Sequence, residues 1–166
     1  ALAVSTSRDQ ILRMAGARIA ESIRGVDASW VALRIDDARV QVHPTFPKPR
    51  PPVELPIAGN LLLARVLQHG QRESGRANRQ DRAWSEAGFS SRCLQIWTPL
   101  VAHGRILGVI GIAYEGESAA ISAEELRLLD GLAATLAVSL ESWNRLAALA
   151  HERAVLATIV AATPDG

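Results

Sequence analysis

The chain has 166 residues, 48% of them hydrophobic, and a formal net charge of +1. That is enough length and apolar content for one domain with a sizeable core, and so small a net charge excludes a global field drawing the chain to nucleic acid or a membrane surface. Cys93 is the only cysteine, so no internal disulfide can form and a reducing, cytoplasmic setting is expected. No apolar run reaches the ~18 residues of a membrane span, and the N-terminus has no signal-peptide pattern. The basic residues are nearly all arginine, with Lys48 the one lysine. Helical patterns at both ends suggest a piece of a longer protein.

The first element is a helix expected over Ser7–Arg24, capped by Ser5, Thr6 or Ser7. Ile11, Ala15, Ile19 and Ile23 recur at helical spacing, Leu12 and Met14 widen the stripe, and Gly25 ends it. Trp30–Asp36 reads as a strand, Asp36-Asp37 as a turn, and Ala38–His43 as a returning strand. Val40 and Val42 there alternate with polar residues, which suggests a sheet edge. Pro44–Pro56 holds six prolines in thirteen residues and reads as an extended surface linker. Gly59–His69 is a short helix with Leu62, Leu63, Val66 and Leu67 on one face. Gln71–Ser85 reads as loop with four arginines, Arg72, Arg76, Arg79 and Arg82, and a helical turn near Asp81–Ala87.

Leu94–Ala102 and Arg105–Tyr114 form a hairpin about His103-Gly104, where glycine supplies the positive φ of a two-residue turn. The second strand is apolar on both faces, so it belongs at the centre of a sheet covered on both sides. Gly108 and Gly111 fall on its opposite faces and leave space for a close helix or a cavity. An acidic loop follows over Glu115–Ala120. Ser122 with Glu125 is a capping box opening a helix from Ala123 to about Ala162. Leu126, Leu129, Ala133, Leu136, Leu140, Trp143, Ala147, Ala150 and Ala154 follow a 3-4 repeat. So long a helix outruns the domain, and its second half needs another surface, for which a second copy of the chain is the economical choice.

The run TPLVAHGRILGVIGIAY at Thr98–Tyr114 and the closing ISAEELRLLDGLAATLAVSLESW at Ile121–Trp143, together with VDASWVALRID and LLARVLQHGQ, resemble the GAF domain family over roughly residues 8–150. The resemblance implies an α+β, GAF/PAS-like fold. Its central antiparallel sheet would have five or six strands, with the N- and C-terminal helices packed on one face. The middle helix and loops would cover the other face, where ligands of the family sit. Residues 1–150 would be the sensory domain. Residues 151–166 would be a helical linker, whose HERAVLATIVAATPDG looks like the entry to a PAS sensor or an output domain.

The branches of the family with recognisable chemistry find little support. The cyclic-nucleotide signature is absent, and Asn78 and Asp81 lack its spacing. Cys93 is followed by Leu94, where tetrapyrrole-binding members carry histidine. One cysteine cannot run an intramolecular thiol–disulfide cycle. His43, His69, His103 and His151 read as surface residues without metal-ligand spacing, so neither haem nor zinc is expected. Ser90 and Ser91 have no positioned base. No catalytic residue, cofactor or metal is therefore expected.

Two functions remain from the resemblance. One is a regulatory sensor of a bacterial signalling protein, such as a two-component kinase. It would bind a small molecule beside Trp30, Arg76, Arg79, Trp84, Phe89 and Trp97, and relay the signal through dimeric end helices. The other is a ligand-free dimerisation and relay module, with the four arginines solvated and the aromatics filling the space. For either, a homodimer is expected, with Ile11, Ile19, Leu140, Trp143, Ala147 and Ala150 at its seam, and neither nucleic acid nor a membrane as partner.

Overall fold

The computed structural model describes residues 2–76, 82–89, 93–115 and 121–162, with the backbone alone over residues 2–7. Helix α1 (Leu2–Ser22) is followed by strands β1 (Ala28–Arg34), β2 (Arg39–Phe46) and β3 (Val53–Pro56). A 3-10 turn (Ile57–Gly59) leads to α2 (Leu61–His69), β4 (Glu73–Arg76) and α3 (Arg82–Glu86). The hairpin β5 (Leu94–Ala102) and β6 (Arg105–Tyr114) precedes the 40-residue α4 (Ala123–Ala162). The strands form one antiparallel sheet in the order β3-β2-β1-β6-β5-β4.

The hairpin lies where its apolar pattern puts it. Strand β6 sits between β1 and β5 in the interior of the sheet, and its turn residues His103 and Gly104 have φ of 49° and 74°. Side-chain alternation divides the core in two. Val31, Ile96, Leu100, Ile110 and Ile112 face α1 and α4, where Leu12, Ile19, Ile23, Leu129, Leu136 and Leu140 cover them. Ala32, Val40, Val42, Trp97 and Val109 face the opposite way, under Leu63, Val66 and Leu67 of α2 and Trp84 of α3.

The helix ends follow from their capping residues. Asn60 accepts the Leu63 N–H at 3.2 Å to open α2, and Gly70 closes it at φ 68°. At α4, Ser122 Oγ accepts the Glu125 N–H and Glu125 Oε1 accepts the Ser122 N–H, the expected capping box. Glu125 also accepts the Arg24 N–H at 2.9 Å, tying the end of α1 to the start of α4. Those amides, Arg24 first, hold the Glu125 carboxyl below its ordinary range.

Three expectations need correction. Helix α1 begins at Leu2 and runs through Ser5–Ser7 without capping there. Strand β2 is not an edge, because Val53–Pro56 of the proline-rich stretch turns back and pairs with it as β3. Prolines flank that short pairing, so proline content hid an edge strand, a place in a sheet that tolerates proline. Glu73–Arg76 pairs with β5 as β4, although ESGR carries no apolar alternation to announce a strand. The acidic loop beyond Glu115 and the final Thr163–Gly166 lie outside the described residues.

Neither glycine of β6 opens onto empty space. A Cβ on Gly108 would lie 2.2 Å from the Ala32 carbonyl oxygen of β1. Main chain cannot yield as a flexible side chain can, so Gly108→Ala is expected to cost about 1–3 kcal/mol or more, read as a lower urea midpoint with an unchanged m-value.

Candidate functional site

The space between the sheet and α2–α3 is built around Gly111. In the register, Gly111 pairs with Trp30 on one side and Trp97 on the other. With no side chain between them, the two indoles meet across the strand at 5.1 Å between ring centroids, inclined at 63°. A Cβ on Gly111 would lie 2.3 Å from Trp30 Nε1. Phe89 packs edge-on against Trp30 at 4.9 Å and against Trp84 at 5.0 Å, and Trp84 lies 6.0 Å from Trp97.

Four of the six residues expected at a ligand site are thus together, as one packed aromatic cluster. Trp84 and Trp97 are fully buried and Trp30 is 4% exposed. Their polar edges are mostly engaged within the protein. Trp84 Nε1 donates to the Pro56 carbonyl at 2.7 Å, and Trp97 Nε1 donates to Gln95 Oε1 at 3.1 Å. Trp30 Nε1 is buried without a hydrogen-bond partner among the described residues. Beside the cluster, at the end of the sheet, lies a cleft of about 220 Å³ reached by Ser29, Trp30, Phe46, Arg50, Phe89 and Gln95.

Of the described arginines in residues 72–82, Arg72 and Arg82 pair elsewhere. Arg72 reaches to the other side of the sheet and pairs with Asp130 of α4. Arg82 pairs with Glu86 one helical turn on, at 2.8 Å. Arg76 lies exposed on the edge strand β4, and Arg79 is outside the described residues. Sequence spacing placed these side chains on one loop. The strand β4, and the turn that carries Arg72 toward α4, separate them.

On the opposite face, the expected seam residues divide. Ile19 and Leu140 are buried in the protomer's own core, and Ile11 packs at its margin. Trp143 is half-buried, with the Arg8 guanidinium 5.3 Å from its ring centroid. Ala147 is half-buried and Ala150 exposed. The 3-4 repeat through Leu129, Ala133, Leu136 and Leu140 is therefore the stripe that packs on the sheet.

A second stripe, one residue earlier in the repeat, remains outside. Leu128 is 46% exposed and, with Ile11, Met14 and Leu132, lines a groove of about 490 Å³ between α1 and α4. The same side of the helix continues through Leu146, Leu149, Leu156 and Val160, which are 52–73% exposed. Every residue from 148 to 162 is exposed. The leucines at 146, 149 and 156 were the available sequence signal, hidden beside the more regular alanine pattern.

Cys93 is buried and unpaired. Among the described residues, no group of three or more His, Cys, Asp or Glu is placed to hold a metal ion. No helix among them is long and apolar enough to cross a membrane.

His43 of β2, expected at the surface, is instead half-buried beside α1. Its Nε2 lies 3.0 Å from Gln41 Oε1. Burial first, then the Arg8 charge, push its pKa from 6.5 down to about 4, with Asp9 opposing weakly. The unfolded chain takes up this proton below pH 6.5, while the folded ring resists until about 4, so folding stability falls as pH falls across that window. After solvent screening of a half-buried ring, the loss is about 1 kcal/mol. Urea midpoints at pH 7 and 5 should show it, and His43→Gln should lack this part of the difference.

A family model described as GAF domain matches residues 7–142. No curated protein matches the chain. Among solved structures, the chain is similar to the GAF domain/HD domain protein from Geobacter sulfurreducens, with a TM-score of 0.67, 11% identity, and 85% of this chain and 97% of that one covered. It is similar to the GAF domain of a two-component sensor histidine kinase from Bacillus halodurans, with a TM-score of 0.67, 16% identity, and 84% and 97% covered. It is also similar to the type II free methionine-R-sulfoxide reductase from Thermoplasma acidophilum, with a TM-score of 0.61, 17% identity, and 84% and 94% covered. At these identities the likeness is one of fold.

Proposed function

The chain belongs to the GAF domain family, and we propose that it is a dimerising relay module of a signalling protein, regulatory and not catalytic. Domains of this family are typically sensory or regulatory units of such proteins. The observation that carries the reading is the distal half of α4. A helix of 40 residues, about 60 Å long, leaves residues 148–162 wholly exposed, with Leu149, Leu156 and Val160 along one side. An isolated helical extension of this kind is marginal in water unless its apolar side is covered. A second copy running parallel covers it with the same residues and places two downstream segments side by side.

The seam in this reading is Leu128, Leu132, Leu146, Leu149, Leu156 and Val160, with Ile11 and Met14 flanking it on α1. Ala147 and Ala150 border it. Because α4 packs on β5 and also forms the seam, a shift of the sheet changes the angle at which the paired helices leave. The reductase chemistry of one neighbour is not part of the proposal. A thiol–disulfide cycle within one chain needs two cysteines, and Cys93 is alone and buried. An unpaired cysteine also suits a reducing, cytoplasmic setting.

A second reading, a small-molecule sensor, is favoured by the 220 Å³ cleft beside Phe89 and the unpartnered Nε1 of Trp30. The aromatic cluster fills the interior, so any ligand would lie at the end of the sheet. Thermal shifts against a metabolite panel decide it: a hit lost in Phe89→Ala supports the sensor, and a panel without hits opposes it.

For the relay, sedimentation velocity at tens of micromolar should give a dimer. Leu149→Glu with Leu156→Glu should give a folded monomer, since each buried leucine contributes about 1.5–3 kcal/mol and like charges would face each other. A monomeric native chain, or a dimer that survives both substitutions, overturns the seam.

A further inference from the structure

Three arginines from three elements meet where α4 leaves the body of the protein. Arg8 comes from α1, Arg34 from the end of β1 and Arg105 from the start of β6. All three line one open cleft of about 350 Å³, with Leu140 and Asn144 of α4 on its wall. We propose that this cleft binds a small oxyanion, a metabolite presenting a phosphate or carboxylate group.

The charge of these arginines is only partly compensated within the protein. Arg8 is held by Trp143, 5.3 Å away, and by Gln41 Oε1 at 3.5 Å, neither of which carries charge. Arg34 donates through Nε to the Asp36 carbonyl at 3.4 Å. Arg105 makes no side-chain hydrogen bond or ion pair among the described residues.

Two carboxylates, Asp36 and Asp37, line the same cleft, and neither neutralises the three. Asp36 accepts the Ala38 and Arg39 amides at 2.9 Å each and pairs with the Arg39 guanidinium at 3.0 Å. Those bonds, the Ala38 amide first, hold its pKa below the ordinary value. Asp37 stands 3.5 Å from Arg34, with its side chain fully in solvent. Three guanidinium groups therefore line a concavity with two carboxylates, of which Asp36 is engaged by Arg39 and Asp37 is loosely held by Arg34.

A guanidinium offers paired N–H donors that match the oxygens of phosphate and carboxylate. Arg8 is already positioned by Gln41 and Trp143, and Arg34 by the Asp36 carbonyl and Asp37, which lowers the ordering cost of binding. The volume lies near the lower end of small-molecule sites, about 300–1,000 Å³, which suits a compact anion. The inference does not rest on pairing of α4, because every residue of the cleft belongs to one protomer.

The test is calorimetric titration of the whole chain with inorganic phosphate and, separately, with citrate as a carboxylate probe. Ionic strength is held constant with chloride. Saturable binding of either probe, one per protomer, is expected, and which of the two binds names the ligand's group. Arg34→Gln and Arg105→Gln should each weaken it about tenfold or more, the scale of one charge-assisted hydrogen bond. Arg76→Gln, on the far edge of the sheet, should leave it unchanged. Arg105 is exposed and unpaired, so the melting temperature of Arg105→Gln without ligand should match the native chain, separating lost binding from lost fold. Absence of saturable binding to both probes overturns the proposal, as does binding that survives in the Arg34→Gln, Arg105→Gln double variant.

Discussion

Two indoles, one from β1 and one from β5, meet over Gly111 of β6, and the rest of the arrangement follows from what lies on each side of that strand. A strand with both faces covered must sit inside its sheet, because an edge would leave backbone donors and acceptors unpaired. On one side Gly111 lets Trp30 and Trp97 close to 5.1 Å, and Trp84 and Phe89 complete a cluster that occupies the space under α2 and α3. On the other side Ile110 and Ile112 carry α1 and the first half of α4. The filled face and the helical face share one wall.

The filling of the first face shifts attention to the second. The three tryptophans pack against one another through ring contacts of 5.1 and 6.0 Å. Two features lie along α4: an exposed apolar stripe on its free half, and three arginines lining a cleft at the point where it departs. Both are positioned by the same packing of Leu136 and Leu140 onto the sheet. The Arg72–Asp130 ion pair reaches α4 from the turn after α2, so the two faces are joined by a polar contact as well as through the wall.

Much of this was legible in the sequence where one residue pattern dictates one structure. The β5–β6 hairpin fell at its expected bounds, because His103-Gly104 fixes the turn and β6 is apolar throughout. Gly70 and the Ser122–Glu125 box marked helix ends, whereas the helix expected from Gly59 starts at Leu61 behind an Asn60 cap. Strands β3 and β4 were missed because short edge strands are held by main-chain pairing, which leaves little trace in side-chain pattern. The four aromatic residues singled out in the sequence touch one another, and their contact depends on the register that brings Trp30 and Trp97 to Gly111. The seam was harder. The repeat through Leu129, Leu136 and Leu140 is regular, and the protomer uses it for its own core. The stripe beside it, Leu146, Leu149 and Leu156, is interrupted by Arg153 and stands out only once the buried side of the helix is known.

The central claim is that the free half of α4 lies parallel against the same segment of a second copy. Dipolar electron-resonance distances between spin labels at Glu152→Cys, and separately at Ala148→Cys, test it in a Cys93→Ser background. Parallel helices with axes about 8–10 Å apart predict a single short intermolecular distance, similar at both positions. An absence of intermolecular coupling, or distances that differ strongly between the two positions, would contradict it.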